Sequence, residues 1–240
     1  MRNAWLIAGR ELRSYFRSPI GYVVAAAVLL TDGLLFQAMA MQGARLSAQV
    51  LFDFFYNISG TTMIAAIALS MRLIAHEREK GTLVLINTAP IRDSEIVLGK
   101  FMALLGFLTG ITLLTAYMPL MIFVNGRVSV GHIVVGYVGI LLLGAAAIAI
   151  GLFASALART QVIAAIIGAL VLGVMILLWM AAKVVDPPVN AFVSAMAIHH
   201  ERQKGFMSGV LRLENVVYYV FVTYFFLLAA TKTLEARRWK

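Results

Sequence analysis

The sequence predicts an all-α integral membrane protein: six transmembrane helices in a single transmembrane domain spanning residues 1–240. Two observations lead there. Of the 240 residues, 62% are hydrophobic and 13% charged, against about 45–50% and about 25% in a soluble domain. The apolar residues also fall in runs of the length a bilayer requires, about 20 residues per span.

The runs are Ile20–Met41, Leu51–Ile74, Phe101–Val124, Ile133–Leu157, Val162–Ala182 and Leu213–Thr231. The first carries Asp32, and the second carries Asn57, Ser59, Thr61 and Thr62. Glu214 and Asn215 flank the start of the last. Six spans put both termini on one side. With the N-terminus inside, Arg45, Arg127, Lys183, Arg202, Lys204 and Arg212 are the six outer basic residues, and the other fourteen of the 20 lie inside. The positive-inside rule therefore places both termini in the cytoplasm. The net charge of +9 reads as basic flanks facing anionic membrane lipid, not as a nucleic-acid surface. Cysteine is absent, which removes disulfide frameworks and thiolate metal sites.

The first 18 residues do not read as a cleavable signal, because Arg2, Arg10, Arg13 and Arg17 precede an apolar run long enough to stay in the membrane. On a helical wheel these arginines share an arc of roughly 80°. Trp5, Ala8, Leu12, Tyr15 and Phe16 lie on another face. Residues 1–18 are therefore expected to form an amphipathic interfacial helix, arginines toward water and phosphate.

Most links between spans are short. Two are long: Ala75–Lys100 on the inner side, and Lys183–Arg212 on the outer side with its Asp186-Pro187-Pro188. No Gly-x-x-x-x-Gly-Lys-Ser/Thr loop occurs, since Gly99-Lys100 is followed by Phe101. No Gly-x-Ser-x-Gly elbow or His-Glu-x-x-His helix occurs either. The chain is not expected to be an enzyme by itself, and energy for any active process comes from a partner or an ion gradient.

The inner link is the most informative stretch. Glu77-Arg78-Glu79-Lys80 is followed by Gly81-Thr82, an apolar turn through Leu85, and Pro90, which stops it. Asp93 or Ser94 is placed to cap the helix leading into the third span. A short rigid helix with charges before it and a proline after it suits a lever seated in another protein's cleft.

At this link the chain resembles the permease subunits of the ABC type-2 exporter superfamily, most closely the gliding-motility and nitrous-oxide-accessory type. Glu77, Gly81, Thr82, Leu85, Pro90, Asp93, Glu95, Gly99 and Lys100 follow that group's pattern. So do His200-Glu201, Lys204-Gly205, Gly209-Val210 and Asn215-Val216-Val217-Tyr218-Tyr219 before the last span, and the opening Arg-Glu-Leu-Arg-Ser-Tyr-Phe-Arg-Ser-Pro-Ile-Gly-Tyr. The chain departs from the pattern at Val84, where the group has glutamate, and over Ile86-Asn87-Thr88-Ala89.

The resemblance implies a cytoplasmic coupling helix between spans 2 and 3 (residues 75–98, its helix Ala75–Pro90). It would sit in a groove of a separate ATP-binding-cassette ATPase subunit. Glu77, Arg78, Glu79, Gly81, Thr82, Leu85 and Pro90 would form that contact, with Glu77 and Glu79 facing basic residues of the ATPase. Arg10, Arg13 and Arg17 would belong to the connecting helix. Residues 183–212, with His200, Glu201 and Gly205, would be partly re-entrant on the exit side. ATP and magnesium would bind the partner, with no cofactor in this chain. The implied setting is the bacterial inner membrane, beside a second permease copy or homologue. A membrane-anchored protein with a large periplasmic domain is a further implied partner.

Other features read more plainly. His199 and His200 point to different sides of a helix and lack a spaced third ligand, so no metal is expected. The methionines, Met39 and Met41 among them, read as packing. Asp32 is a possible intramembrane polar site. Ala147, Gly151 and Ser155 make a small-residue face on the fourth span, suited to close contact within the chain or across a dimer. The alternative function is an ion-coupled transporter or channel subunit without an ATPase. It calls for paired ionisable residues in the spans, where chiefly Asp32 and Asp53 stand out.

Overall fold

The computed structural model describes residues 2–40, 46–82, 91–126 and 128–238. Its elements are α1 (Arg2–Arg17), α2 (Pro19–Leu35) continuing into a π-helical turn (Phe36–Ala40), α3 (Ser47–Ser70), α4 (Ala75–Glu79), α5 (Asp93–Leu114), α6 (Tyr117–Asn125), α7 (Val130–Leu157), α8 (Gln161–Ala182), α9 (Val189–Met196), α10 (His200–Met207) and α11 (Leu213–Arg238). Among the described residues all regular structure is helical, and six helical segments are long and apolar enough to cross a membrane.

The third span is broken. Pro119 has no amide to give Thr115, and its ring crowds the carbonyl four residues back. The helix accordingly stops at Leu114 and restarts at Tyr117. Thr115 Oγ1 turns inward, bonding Thr112 O at 2.7 Å and lying 3.0 Å from the Tyr137 hydroxyl. The same span begins at Asp93, earlier than the expected Phe101. Its N-cap position is Arg92, with no side-chain capping bond, so neither Asp93 nor Ser94 is the cap. Asp93 and Glu95 stand instead in the first turn, where a carboxylate complements the helix dipole.

α7 is the hub of the bundle and packs against α3, α5, α8, α10 and α11. Its small residues make this possible. A methyl group on Gly151 would overlap Ser70 Oγ of α3, and one on Gly168 of α8 would lie 3.6 Å from Gly151 Cα. The Ala147–Gly151–Ser155 face is thus used inside the chain. The spans α2 and α8 bury only 17% of their most apolar windows, against 61% for α7, so their outward faces suit lipid or another chain.

α1 lies against α5, with its small residues Ala4 and Ala8 buried. A Cβ on Gly99 would lie 2.8 Å from both Ala4 O and Ile7 Cβ, so only glycine admits this approach. Tyr15 stacks on Phe107 with centroids 5.2 Å apart. Trp5, expected on the apolar face of α1, is 70% exposed.

The chain between α8 and α11 packs along the bundle. Ile198 N donates to Met175 O at 3.1 Å, and His199 Nε2 lies 2.7 Å from Ser59 Oγ. At 1.5 Å per residue, Ser59 is about 18 Å along α3 from its start and Met175 about 10 Å below the end of α8. The Tyr219 hydroxyl lies 2.7 Å from Ile198 O and 3.0 Å from Gln203 Oε1.

Candidate functional site

The residues of the inner link converge on α4. The link starts where Ser155 of α7 accepts the amides of Ile74 (3.0 Å) and Ala75 (2.9 Å) and donates to Met71 O at 2.9 Å. Ser155 thereby supplies the N-terminal cap that α4's own sequence lacks. The other end of α4 closes in a Schellman turn. Thr82 N donates to Glu77 O at 2.9 Å and Gly81 N to Arg78 O at 3.0 Å, with Gly81 at φ +71°. A side chain is disfavoured in that left-handed conformation, which explains the glycine. The helix therefore ends at Glu79 and does not run unbroken from Ala75. Leu83–Pro90, including the site residues Leu85 and Pro90, lies outside the described residues.

Within α4, Glu77 points inward. Its Oε1 meets Lys100 Nζ at 2.7 Å, and the same Nζ meets Glu11 Oε1 of α1 at 3.1 Å. Lys100 is 2% exposed. The trio links α1, α4 and α5 through charge-assisted hydrogen bonds. Glu77 Oε2 is buried with no partner among the described atoms. These groups line a cavity of about 140 Å³ with Tyr15, Arg72 and His76. Burial, reinforced by Glu11, pushes the Tyr15 hydroxyl well above its ordinary range. Within this chain Glu77, expected to face a partner protein, pairs with Lys100, and a lysine buried at that depth needs a carboxylate.

The remaining residues of α4 hold the turn between α7 and α8. Arg78 donates to Ala158 O. Gln161 Nε2 lies 2.9 Å from both His76 Nδ1 and Glu79 Oε2. Arg237 of α11 donates to the adjacent Leu157 O at 2.6 Å. Glu79 and Lys80 are exposed.

The other expected sites are separate. Arg10, Arg13 and Arg17 are exposed along α1, and Arg10 Nη2 bonds Glu11 Oε1 at 3.2 Å. His200 stacks on Trp179 at 4.1 Å, Glu201 is exposed on α10, and Gly205 O accepts Val210 N at 2.9 Å. Asp32 is 2% exposed and accepts from Thr61 Oγ1 of α3 at 2.6 Å, a partner outside its own helix. Reading along the sequence missed the roles of Glu11, Ser155 and Gln161. The bonds of Tyr219 were missed too, although Lys100 and the Tyr218-Tyr219 pair stood in the quoted motifs.

This arrangement couples helices. Six apolar spans, the half-buried α7 among them, define a multi-pass membrane protein. The family model for ABC-2 type transporters matches residues 2–179, so the chain belongs to the ABC-2 type transporter family and is the permease component of an ABC transporter. Comparison with the curated proteins finds no match.

Proposed function

We propose that this chain is the permease of an ATP-driven exporter, closest to the gliding-motility and nitrous-oxide-accessory type. Separate ATPase subunits, holding ATP and magnesium, close on nucleotide and move α4. That motion alters a path between this permease and a second copy or homologue. Both termini are cytoplasmic in the bacterial inner membrane, and residues 183–212 dip back from the opposite face. A membrane-anchored protein with a large periplasmic domain completes the assembly.

The observation that carries this reading is the fastening of α4. Ser155, Lys100 and the Ala158 carbonyl tie one short helix to α7, α5 and the α7–α8 turn. A lever must be rigidly joined to what it moves, and α4 is. The exposed Glu79 and Lys80, with the stretch through Leu85 to Pro90, supply the outward contact with the ATPase. The test is co-purification of the tagged full chain from native membranes. An ATPase subunit should come with it, and adding ATP should change protection of α4 from hydrogen exchange. Absence of any ATPase together with indifference to ATP overturns the proposal.

A further inference from the structure

The outward side of α1 is basic, and an apolar groove opens beside the same helix, against α2 and α5. Trp5, Leu6, Gly9, Arg10, Arg13, Ser14 and Arg17 line an open groove of about 600 Å³. Arg13 and Arg17 are exposed and make no hydrogen bond or ion pair with the described residues. Arg10 shares its charge with Glu11. Around the helix from Arg13, at 100° per residue, comes Phe16. Phe16 is 53% exposed and edges a second groove, of about 280 Å³, between α1, α2 and α5. That groove is apolar, bounded by Tyr15, Phe16, Tyr22, Phe107, Gly110 and Leu114. A cationic rim thus adjoins an apolar channel that runs along two membrane-crossing helices.

We propose that this surface binds one anionic phospholipid, with its phosphate held by Arg13 and Arg17 and one acyl chain in the groove beside Gly110. Guanidinium forks match phosphate oxygens, and unpaired exposed arginines are free to meet them. A soluble phosphate has no use for the apolar channel; a lipid fills both parts. The two unpaired arginines also select against a zwitterionic headgroup, because each basic group near the surface favours anionic lipid. The site rests on the reading that α1 lies at the membrane surface.

The test uses the full chain purified in detergent, titrated by native mass spectrometry with phosphatidylglycerol or phosphatidylcholine of matched acyl chains. Phosphatidylglycerol is expected to bind about tenfold tighter or more. R13Q/R17Q should bring it down to the phosphatidylcholine level. Gly110→Leu should weaken both lipids, since a Cβ at Gly110 meets nothing within 4 Å and the variant fills the groove without disturbing the fold. Millimolar inorganic phosphate should displace neither lipid. Equal binding of the two lipids, full displacement by phosphate, or an unaffected Gly110→Leu variant each overturns the site. A fluorophore on Gly9→Cys, the single cysteine of that variant, separates the failures. A label at headgroup depth without lipid preference removes the site alone; a label in bulk water removes the surface placement of α1 as well.

Discussion

Lys100 Nζ and Glu77 Oε1 lie 2.7 Å apart although 23 residues separate them in the chain. Lys100 is the largest charged side chain in the buried interior, and Glu11 completes its pairing. An ammonium so enclosed is stable only while its carboxylates remain.

Replacing one member of this trio should therefore cost more than replacing all three. Lys100→Met leaves two carboxylates facing each other in a confined space, and a loss of about 3–5 kcal/mol is expected. Scanning fluorimetry of detergent-purified protein should show a clear fall in Tm. The E11Q/K100M/E77Q variant should recover most of it. A Lys100→Met protein as stable as the parent would show that the trio does not hold α1 and α4.

Ser155→Ala removes the acceptor of two buried amides. The expected cost is about 1–3 kcal/mol, the usual penalty for leaving buried polar groups unpaired. Hydrogen exchange at Ile74 and Ala75 should accelerate while the centre of α7 keeps its protection. Unchanged exchange at those two amides would remove Ser155 from the cap.

Gly81→Ala forces a side chain into a left-handed turn, at a cost of about 1–2 kcal/mol. Global stability should fall little, since the turn is short and exposed. With the ATPase present, nucleotide hydrolysis should persist while transport drops severalfold. Gly81→Asn should retain more transport, because asparagine tolerates this conformation. Full transport by the alanine variant would count against α4 as the lever.

Acid should loosen the segment that packs along α3. Burial, and then the neighbouring His200, hold the His199 imidazole below its ordinary value of 6.5. The folded state therefore favours neutral His199, and the unfolded chain takes up the proton first. The contribution is complete above the ordinary value and declines as pH falls below it. Hydrogen exchange across residues 197–207, corrected for intrinsic rates, should rise from pH 7.5 to about pH 5. His199→Gln should flatten that rise. A pH-independent profile in the parent chain would refute the assignment.

The spans were readable because a bilayer demands a long apolar run, and nothing else in the chain mimics one. The end of α4 was only partly readable: Gly81 breaks the pattern of four charged residues, yet the helix was expected to reach Pro90 and it stops at Glu79. What escaped reading was direction and partnership. Glu77 looks like a solvated charge until Lys100 is seen folded beside it. α1 is amphipathic in the ordinary way, and its close approach to α5 depends on the missing side chain at Gly99. Asp32 finds Thr61 on another helix, a pairing that spacing does not encode. The break at Thr115 was written in Pro119, whose missing amide and ring act four residues upstream.

The bonds around α4 also bring α1 and α11 into one mechanical circuit. Glu11 of α1 reaches α4 through Lys100; Arg237 of α11 grips the carbonyl beside the one Arg78 holds. The first and last helices are thereby yoked to a five-residue rod. A fusion partner attached directly behind Arg237 would hang its load on that yoke, so a tethered reporter on this protein calls for a slack linker at its tail.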